Sequence, residues 1–387
     1  MIKERTLLKN ILPCLDSKEA IVITGMRRTG KTTLLNFIFN KINSTNKIFL
    51  DLENPINQKY FEEINYERIK SSLEILGLNF QKKAFIFLDE IHLVKNLPSI
   101  IKYFIDHCQV KFFLTGSASF YLKNIFSESL VGRKYIFELF PLTFKEFLVF
   151  KESNLSLPTN REKINKAIFE TISVLYNEYL LFGGFPEVVL KKSVQEKQKS
   201  LEDIFSSFFQ LEVIRLGDFR KNNVVRDLIM LLMQRVGSKL DIQKLSNDLR
   251  VSRPTIYEYL SFLEATYFIK TINPFTKSRD AQLRKMPKVY LCDSGLVNRF
   301  AKIDKGRLFE NSVFQNLRVK GGLNYYQKDG AEIDFIFNEI AYEVKLTATK
   351  KDIERLKKLS AKLGLKQFYL IAENYSELQN VTYPFLL

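Results

Sequence analysis

The chain has 387 residues, too many for one ordinary hydrophobic core, so its length predicts about two to four domains. An apolar content of 46% predicts a folded chain, and three widely separated cysteines indicate a reducing compartment and argue against structural zinc. The net charge of +16 favours a polyanionic partner such as nucleic acid, although a surface solvated by lysines would give the same excess.

The beginning of the chain is charged and shows no signal-peptide pattern, and no apolar run approaches membrane-spanning length. We therefore expect a cytoplasmic protein without a membrane partner. Residues 1–19 are predicted to form a short leading helix.

A strand, a glycine-bounded loop and a helix are predicted next. The β-branched segment 20–24 precedes residues 25–32, which read Gly-Met-Arg-Arg-Thr-Gly-Lys-Thr, and a helical pattern begins at Thr33. This is the context that a P-loop requires. Lys31 is expected to reach the β- and γ-phosphates of ATP, and the Thr32 hydroxyl to bind Mg²⁺. The predicted nucleotide contacts from this stretch are Gly25, Arg28, Thr29, Gly30, Lys31, Thr32 and Thr33.

The second motif is an apolar strand that ends in two carboxylates. After a strand over 47–52 and a helix over 57–78, residues 84–88 form a continuous apolar run, typical of a parallel strand buried on both faces. Asp89 and Glu90 stand at its C-terminal end, where ligands bind in open α/β sheets. Asp89 is expected to hold Mg²⁺ through water, and Glu90 to orient the attacking water. An ordinary acidic strand end is the alternative.

A helix near 97–108 and a buried strand over 110–115 complete the predicted core. Thr115 or Ser117, at the tip of this strand, fits a sensor of the γ-phosphate, and a hydroxyl that caps the next helix is an equal alternative. Alternating strands and helices predict an α/β fold with a parallel sheet over residues 1–150.

The chain resembles AAA-type ATPases of bacteria and archaea that carry a C-terminal domain of uncharacterised function. The matching stretches are 25–32, 87–90, 114–117, 132–133, 141–147 and 183–187. The resemblance implies an ATPase core related to the STAND group of signal-transducing ATPases, with ATP and Mg²⁺ as cofactors. It also makes Arg133 a candidate for stabilising the γ-phosphate, in cis or toward a neighbour in a homo-oligomer. An ion pair with a surface carboxylate is the equal alternative for Arg133.

The middle of the chain predicts two further parts. Residues 151–238 combine a polar linker with helical periodicity broken at Gly183–Pro186, which predicts a helical lid or adaptor. Residues 239–275 show helix, turn, helix and strand, which is a winged-helix pattern. Its second helix would present Arg253, Thr255 and Tyr257 to DNA. Such modules also serve as spacers, and nearby glutamates weaken a DNA-reading face.

The last part, 276–387, centres on a predicted hairpin of strands 332–337 and 340–345. Period-two geometry places Glu343 and Lys345 on one face, Asp334 can lie beside them, and Glu310 can approach from a helix. The segment resembles the PD-(D/E)XK nuclease fold, although Ile333 replaces the proline of that motif. The resemblance implies a divalent metal on the carboxylates and a lysine that orients or deprotonates water. The expected metal ligands here are Glu310, Asp334 and Glu343, and the expected catalytic residues are Asp334, Glu343 and Lys345.

Two main functional hypotheses follow. The first is an ATP-hydrolysing enzyme that acts on nucleic acid, DNA above all, through a C-terminal nuclease-like module. The second is a STAND-type switch in which nucleotide state controls partner binding and the nuclease fold is an inactive scaffold. A transcription factor with an ATP-controlled winged helix is a third interpretation.

Overall fold

The computed structural model describes residues 3–116, 130–217, 219, 221–276 and 286–387. The chain divides into two compact units, Met1–Phe140 with Ala265–Tyr267, and Pro141–Glu264 with Phe268–Leu387. No helix in the described part combines the length and apolar character needed to cross a bilayer.

The first unit is built on a five-stranded sheet in the order β2-β3-β4-β1-β5. All neighbouring strands in it are parallel, as predicted. The strands are β1 (Ala20–Thr24), β2 (Lys47–Asp51), β3 (Ala84–Asp89), β4 (Val110–Gly116) and β5 (Lys134–Glu138). The helices of this unit are α1 (Leu8–Ile11), α2 (Lys31–Lys41), α3 (Pro55–Lys59), α4 (Tyr66–Ile75) and α5 (Leu97–His107).

Two apolar layers cover the faces of this sheet. On one face, Ile23 and Phe87 belong to a core that includes buried residues of α2. On the other face, Ile86 and Leu88 pack with buried residues of α4 and α5. The three central strands are buried almost throughout because both of their faces are covered. Because these three strands run parallel to one another, their carboxyl ends lie at the same edge of the sheet.

The helix Phe144–Phe150 contacts the two helices that follow it, so the helices of the second unit begin before the predicted boundary at residue 150. The helical region comprises α6 (Phe144–Phe150), α7 (Lys166–Phe182), α8 (Pro186–Leu190), α9 (Val194–Phe208), a π-helix (Phe209–Ile214) and α10 (Asn222–Gln234). Thr143 and Ser193 begin α6 and α9 with capping boxes.

A helix–turn–helix follows, formed by α11 (Ile242–Leu249) and α12 (Arg253–Ala265). The Asp241 side chain caps α11, and the Ser252 hydroxyl accepts a hydrogen bond from the Thr255 amide in the first turn of α12. Strand β6 (Ile269–Pro274) then pairs antiparallel with β7 (Lys288–Leu291).

These two strands continue into a seven-stranded mixed sheet in the order β12-β11-β10-β9-β8-β6-β7. The predicted winged-helix and C-terminal segments thus share one sheet, because β6 pairs with β8. The remaining strands are β8 (Asn324–Lys328), β9 (Ala331–Phe337), β10 (Ile340–Lys345), β11 (Gln367–Ala372) and β12 (Val381–Thr382). The helices of this part are α13 (Ser294–Phe300), α14 (Lys305–Leu317) and α15 (Lys350–Leu363).

Candidate functional site

Two glycines shape the loop between β1 and α2. Gly25 has a φ of +150°, and a Cβ atom there would lie 2.1 Å from the carbonyl oxygen of Leu139. Gly30 has a φ of +93° and precedes the first residue of α2. Both positions require glycine, the first by contact and the second by backbone conformation. The loop therefore has the close-fitting backbone that the predicted P-loop needs.

The loop is held by hydrogen bonds to its own carbonyl groups. The buried Lys31 ammonium donates to the carbonyl oxygens of Gly25 and Met26, at 3.0 and 3.1 Å. The hydroxyl of Thr29, which is fully buried, donates to the Met26 carbonyl at 2.8 Å. Arg5 donates to the Thr29 carbonyl at 2.8 Å. Lys31 thus begins α2 with its charge held at the mouth of the loop.

Asp89, Thr32 and Thr115 meet beside this loop. The Thr115 hydroxyl donates to Oδ1 of Asp89. Burial raises the pKa of Asp89, while hydrogen bonding from Thr115 and then Thr32 opposes that rise. No cationic side chain of the described residues forms an ion pair with this carboxylate, which is 3% exposed. Asp89 is therefore a buried carboxyl group with oxygen-bearing neighbours, a setting that suits a hard divalent cation.

Glu90 lies next to Asp89 in a left-handed conformation, with a φ of +52°. Its Oε2 atom is 3.1 Å from Nδ1 of His92. Burial alone would raise the pKa of Glu90, but the contact with His92 and the charge of Lys31 outweigh it and lower the pKa to about 2. Glu90 is consequently ionised at neutral pH.

Arg133 is found away from the loop, in an ion pair with Asp106, its Nε atom 2.9 Å from Oδ1. Because β1 and β5 are parallel, with Ala20 beside Lys134, Arg133 lies at the start of β1, whereas the loop follows its end. Five residues of strand separate the two by roughly 16 Å. The predicted cis role of Arg133 is thereby excluded, and the alternative surface ion pair is what the structure contains. Ser117 lies outside the described residues.

The predicted hairpin of the second unit is present as β9 and β10. Its register places Tyr342 opposite Phe335, so the next pair is Glu343 and Asp334, on one face of the sheet. Oε1 of Glu343 is 3.1 Å from Nζ of Lys345 and also contacts Arg355. Its Oε2 atom is buried and has no hydrogen-bond partner among the described residues. Burial accordingly raises the pKa of Glu343, against the opposing charge of Lys345.

Lys288, from β7, lies among the other carboxylates. Its Nζ atom is 2.5 Å from Glu332, 3.3 Å from Asp334 and 3.5 Å from Glu310. Burial would lower the pKa of Lys288, but the surrounding carboxylates raise it above its usual value. The pKa of Glu310 is raised to about 7, by burial first and by the charge of Asp334 second.

The expected convergence of Glu310, Asp334 and Glu343 on one metal ion is not seen in this arrangement. Lys288 pairs with Glu310 and Asp334, whereas Glu343 pairs with Lys345 and Arg355. In the part of the chain that the structure describes, no group of three or more His, Cys, Asp or Glu side chains is placed to hold a metal.

The helix–turn–helix presents a basic and polar surface. Arg253 and Tyr257 are exposed on α12, and Thr255 is half-buried. A cavity of about 520 Å³ lies beside the turn, between the first residues of α12 and Lys221. Arg250 also lines it, as does Glu258, whose carboxylate reduces the positive charge of this surface.

Comparison with known proteins gives the family. The chain is 31% identical over 376 residues to "Uncharacterized protein MJ1544" of Methanocaldococcus jannaschii, covering 92% of this chain and 82% of that protein. The chain belongs to the family of MJ1544. An "Uncharacterized protein" of Haemophilus influenzae is 26% identical over 373 residues, covering 89% of this chain and 88% of that protein.

Three family models match this MJ1544-family chain in succession. An AAA domain matches residues 17–148, and domains of unknown function match 173–307 (DUF8612) and 305–383 (DUF4143). The first match identifies the N-terminal core as an AAA-type P-loop ATPase domain, as predicted. The nuclease-like character of the C-terminal residues stays a prediction.

Among solved structures, the MJ1544-family chain is similar to the Aeropyrum pernix ORC2 protein in its ADPNP-ADP complexes. The identity is 11%, the TM-score is 0.42, and the match covers 82% of this chain and 92% of that chain.

Several residues of these sites were not predicted from the sequence. Lys288 and Glu332 form an ion pair within the C-terminal carboxylate cluster, and His92 contacts Glu90. His92 was detectable, because it follows the Asp-Glu pair by two residues and only two histidines occur in the chain. Lys288 was not, because it joins the carboxylates through pairing of strands that are remote in sequence.

Proposed function

We propose that this protein is a Mg²⁺-dependent ATPase whose nucleotide state controls how the second unit engages a partner, DNA first. The observation that carries the proposal is the buried carboxylate of Asp89, which lies against the Thr115 and Thr32 hydroxyls and has no cationic partner among the described residues. A divalent ion bound there by Asp89 and Thr32 would neutralise phosphate charge.

The neighbouring residues have complementary roles in this proposal. Lys31 exchanges the carbonyl groups of its own loop for phosphate oxygens, since both are acceptors and the phosphates carry full charge. Glu90 is ionised and orients the attacking water, while His92 fixes the direction of the carboxylate. Thr115 holds Asp89 and connects it to the Glu90 amide at 3.3 Å.

Nucleotide binding and phosphate release test this proposal. Lys31→Ala should lose most of its affinity for ATP, whereas Glu90→Gln should bind ATP normally and hydrolyse it about 10²–10⁴-fold more slowly. Lys41→Ala is the matched control, since Lys41 lies at the other end of the same helix, where it forms an exposed ion pair with Glu4 and lies over the Phe37 ring. Affinity for ATP that is equal in Lys31→Ala and Lys41→Ala would refute the P-loop assignment.

Among candidate partners, DNA fits the surface of the second unit best. The exposed Arg253 and Tyr257 on α12, with Arg250 and Lys221 beside the adjoining cavity, form a surface suited to a phosphate backbone. Arg253→Ala should weaken binding of duplex DNA, and Arg226→Ala, which changes an exposed arginine on α10 next to Asp227, should not. Equal DNA affinity of the two variants would favour a spacer role for the helix–turn–helix.

For the C-terminal fold, the side-chain pairing favours a scaffold over a nuclease. The carboxylates that the nuclease hypothesis assigns to metal are each paired with a lysine or arginine of the same chain. Incubation of labelled DNA with the protein and Mn²⁺ distinguishes the two. Cleavage that is lost in Asp334→Asn would restore the nuclease hypothesis.

A further inference from the structure

The carboxylate cluster of the second unit contains its own cation. Lys288 is buried, with its side chain 4% exposed, and its ammonium lies within 3.5 Å of Glu332, Asp334 and Glu310. These four residues come from three elements, β7, β9 and α14, so one lysine joins parts of the unit that are far apart in sequence.

The carboxylate oxygens of this cluster also accept other hydrogen bonds. Oδ2 of Asp334 accepts from the Val344 amide at 2.8 Å, while its Oδ1 faces Lys288. Oε1 of Glu310 accepts from the Tyr290 hydroxyl at 2.6 Å. These donors and the Lys288 ammonium already occupy lone pairs that a metal ion would use, so a metal ion would have to compete with them.

The nucleotide site of the same chain provides a contrast. Asp89 is as deeply buried as Asp334, yet its side chain accepts hydrogen bonds from hydroxyl groups and from the Glu90 amide, and no cation of the described residues pairs with it. Asp334 has a lysine at 3.3 Å. A buried carboxylate that stays ionised needs a compensating positive charge, which can come from a bound ion or from the protein.

We propose that Lys288 takes the place of a divalent metal ion, so that the C-terminal cluster excludes the metal that the nuclease resemblance implies. The cluster then serves as an ion-pair joint that fixes β7 to β9 and α14. This assigns to Lys288 a role that goes beyond the scaffold function proposed above, and it does not depend on ATP hydrolysis.

The proposal predicts that removing the lysine converts the joint into a metal site. Without Lys288, the buried carboxylate of Asp334 and the partly exposed carboxylates of Glu310 and Glu332 would have no cation between them, and a divalent ion would supply the missing charge. Lys288→Met keeps an unbranched side chain of similar size and removes its charge, whereas Lys288→Arg keeps the charge. Lys270→Met is the control, since Lys270 lies on the adjoining strand β6 and forms an exposed ion pair with Glu264.

Mn²⁺ binding by the full chain, measured by electron paramagnetic resonance without nucleotide, tests this prediction. Wild type, Lys288→Arg and Lys270→Met should bind no more Mn²⁺ than Asp334→Asn does. Lys288→Met should gain about one bound Mn²⁺ per chain and a Tm that rises with Mn²⁺ concentration. Both gains should disappear in the double variant with Asp334→Asn.

Two results would overturn the proposal. The first is Mn²⁺ binding by wild type that Asp334→Asn abolishes, which is measurable even if Lys288→Met does not fold. The second is a folded Lys288→Met that gains no Mn²⁺. A defect in ATP hydrolysis would leave both measurements unaffected, so failure of the ATPase proposal is distinguishable from failure of this one.

Discussion

Replacing Gly25 by alanine tests the geometry of the loop most directly. The added Cβ atom would lie 2.1 Å from the Leu139 carbonyl oxygen, so that oxygen must retreat by about 0.9 Å to reach even the 3.0 Å limit of real contacts. The Leu139 amide donates a hydrogen bond to the Thr24 carbonyl at 2.7 Å, and this bond resists such a movement.

The loss of stability expected for Gly25→Ala can be compared with that expected for an alanine at a second glycine. Gly77 also has a positive φ, +102°, but a Cβ atom there meets nothing within 4 Å. Gly77→Ala therefore carries only backbone strain, about 1–3 kcal/mol. Gly25→Ala carries similar strain together with the weakened hydrogen bond, worth about 0.5–1.5 kcal/mol, and the unrelieved clash. We expect Gly25→Ala to be less stable than Gly77→Ala by about 1–3 kcal/mol.

Urea unfolding of both variants measures this difference, and binding of an ATP analogue measures its functional effect. Gly25→Ala should also lose ATP affinity because the loop backbone is displaced, whereas Gly77→Ala should bind ATP as wild type does. Equal stability and equal ATP affinity of the two variants would refute the argument that close packing of the loop against Leu139 requires glycine.

Three further predictions can be tested independently. Because the pKa of Glu90 is about 2, the ATPase rate should show no loss from protonation of Glu90 between pH 8 and pH 5, and a loss that Glu90→Gln lacks would contradict this. DNA affinity should fall roughly linearly with the logarithm of salt concentration, with a smaller slope for Arg253→Ala in filter binding. Burial raises the pKa of Asp293 to about 6, so its contribution to stability is greatest below pH 4 and is lost toward pH 6. The stability advantage of wild type over Asp293→Asn in urea should shrink across that range, and an advantage that grows would contradict the sign.

The arrangement of the candidate nucleotide site could be predicted because its residues lie in short motifs at the ends of adjacent strands. Gly25, Lys31 and Asp89 are each recognisable from a few neighbouring residues, and parallel pairing of β1, β3 and β4 brings them to one edge. The position of Arg133 could not be predicted in this way. Its position depends on the direction of β5 relative to β1, which a Gly-Arg pair does not encode.

The C-terminal cluster shows the same limit more strongly. The sequence predicted that Asp334 and Glu343 lie on one face of the sheet, because a short turn joins their two strands into a hairpin. The partner of Asp334 is Lys288, 46 residues away, and it is brought there by the pairing of β7 with β6 and of β6 with β8. Local sequence periodicity carries no signal for such a contact, so the ion-pair arrangement became visible only in the folded chain.

The pairing of β6 with β8 also decides where the protein can be divided. A fragment that begins at residue 276 would lack β6 and so leave the backbone groups of β8 at Asn324 and Tyr325 without their strand partners. Exposed strand edges of this kind recruit other chains and promote aggregation. A fragment that begins at Pro141, the first residue of the second compact unit, retains the whole sheet. Recombinant pieces intended for study of the C-terminal fold should therefore include the helix–turn–helix and the strands that follow it.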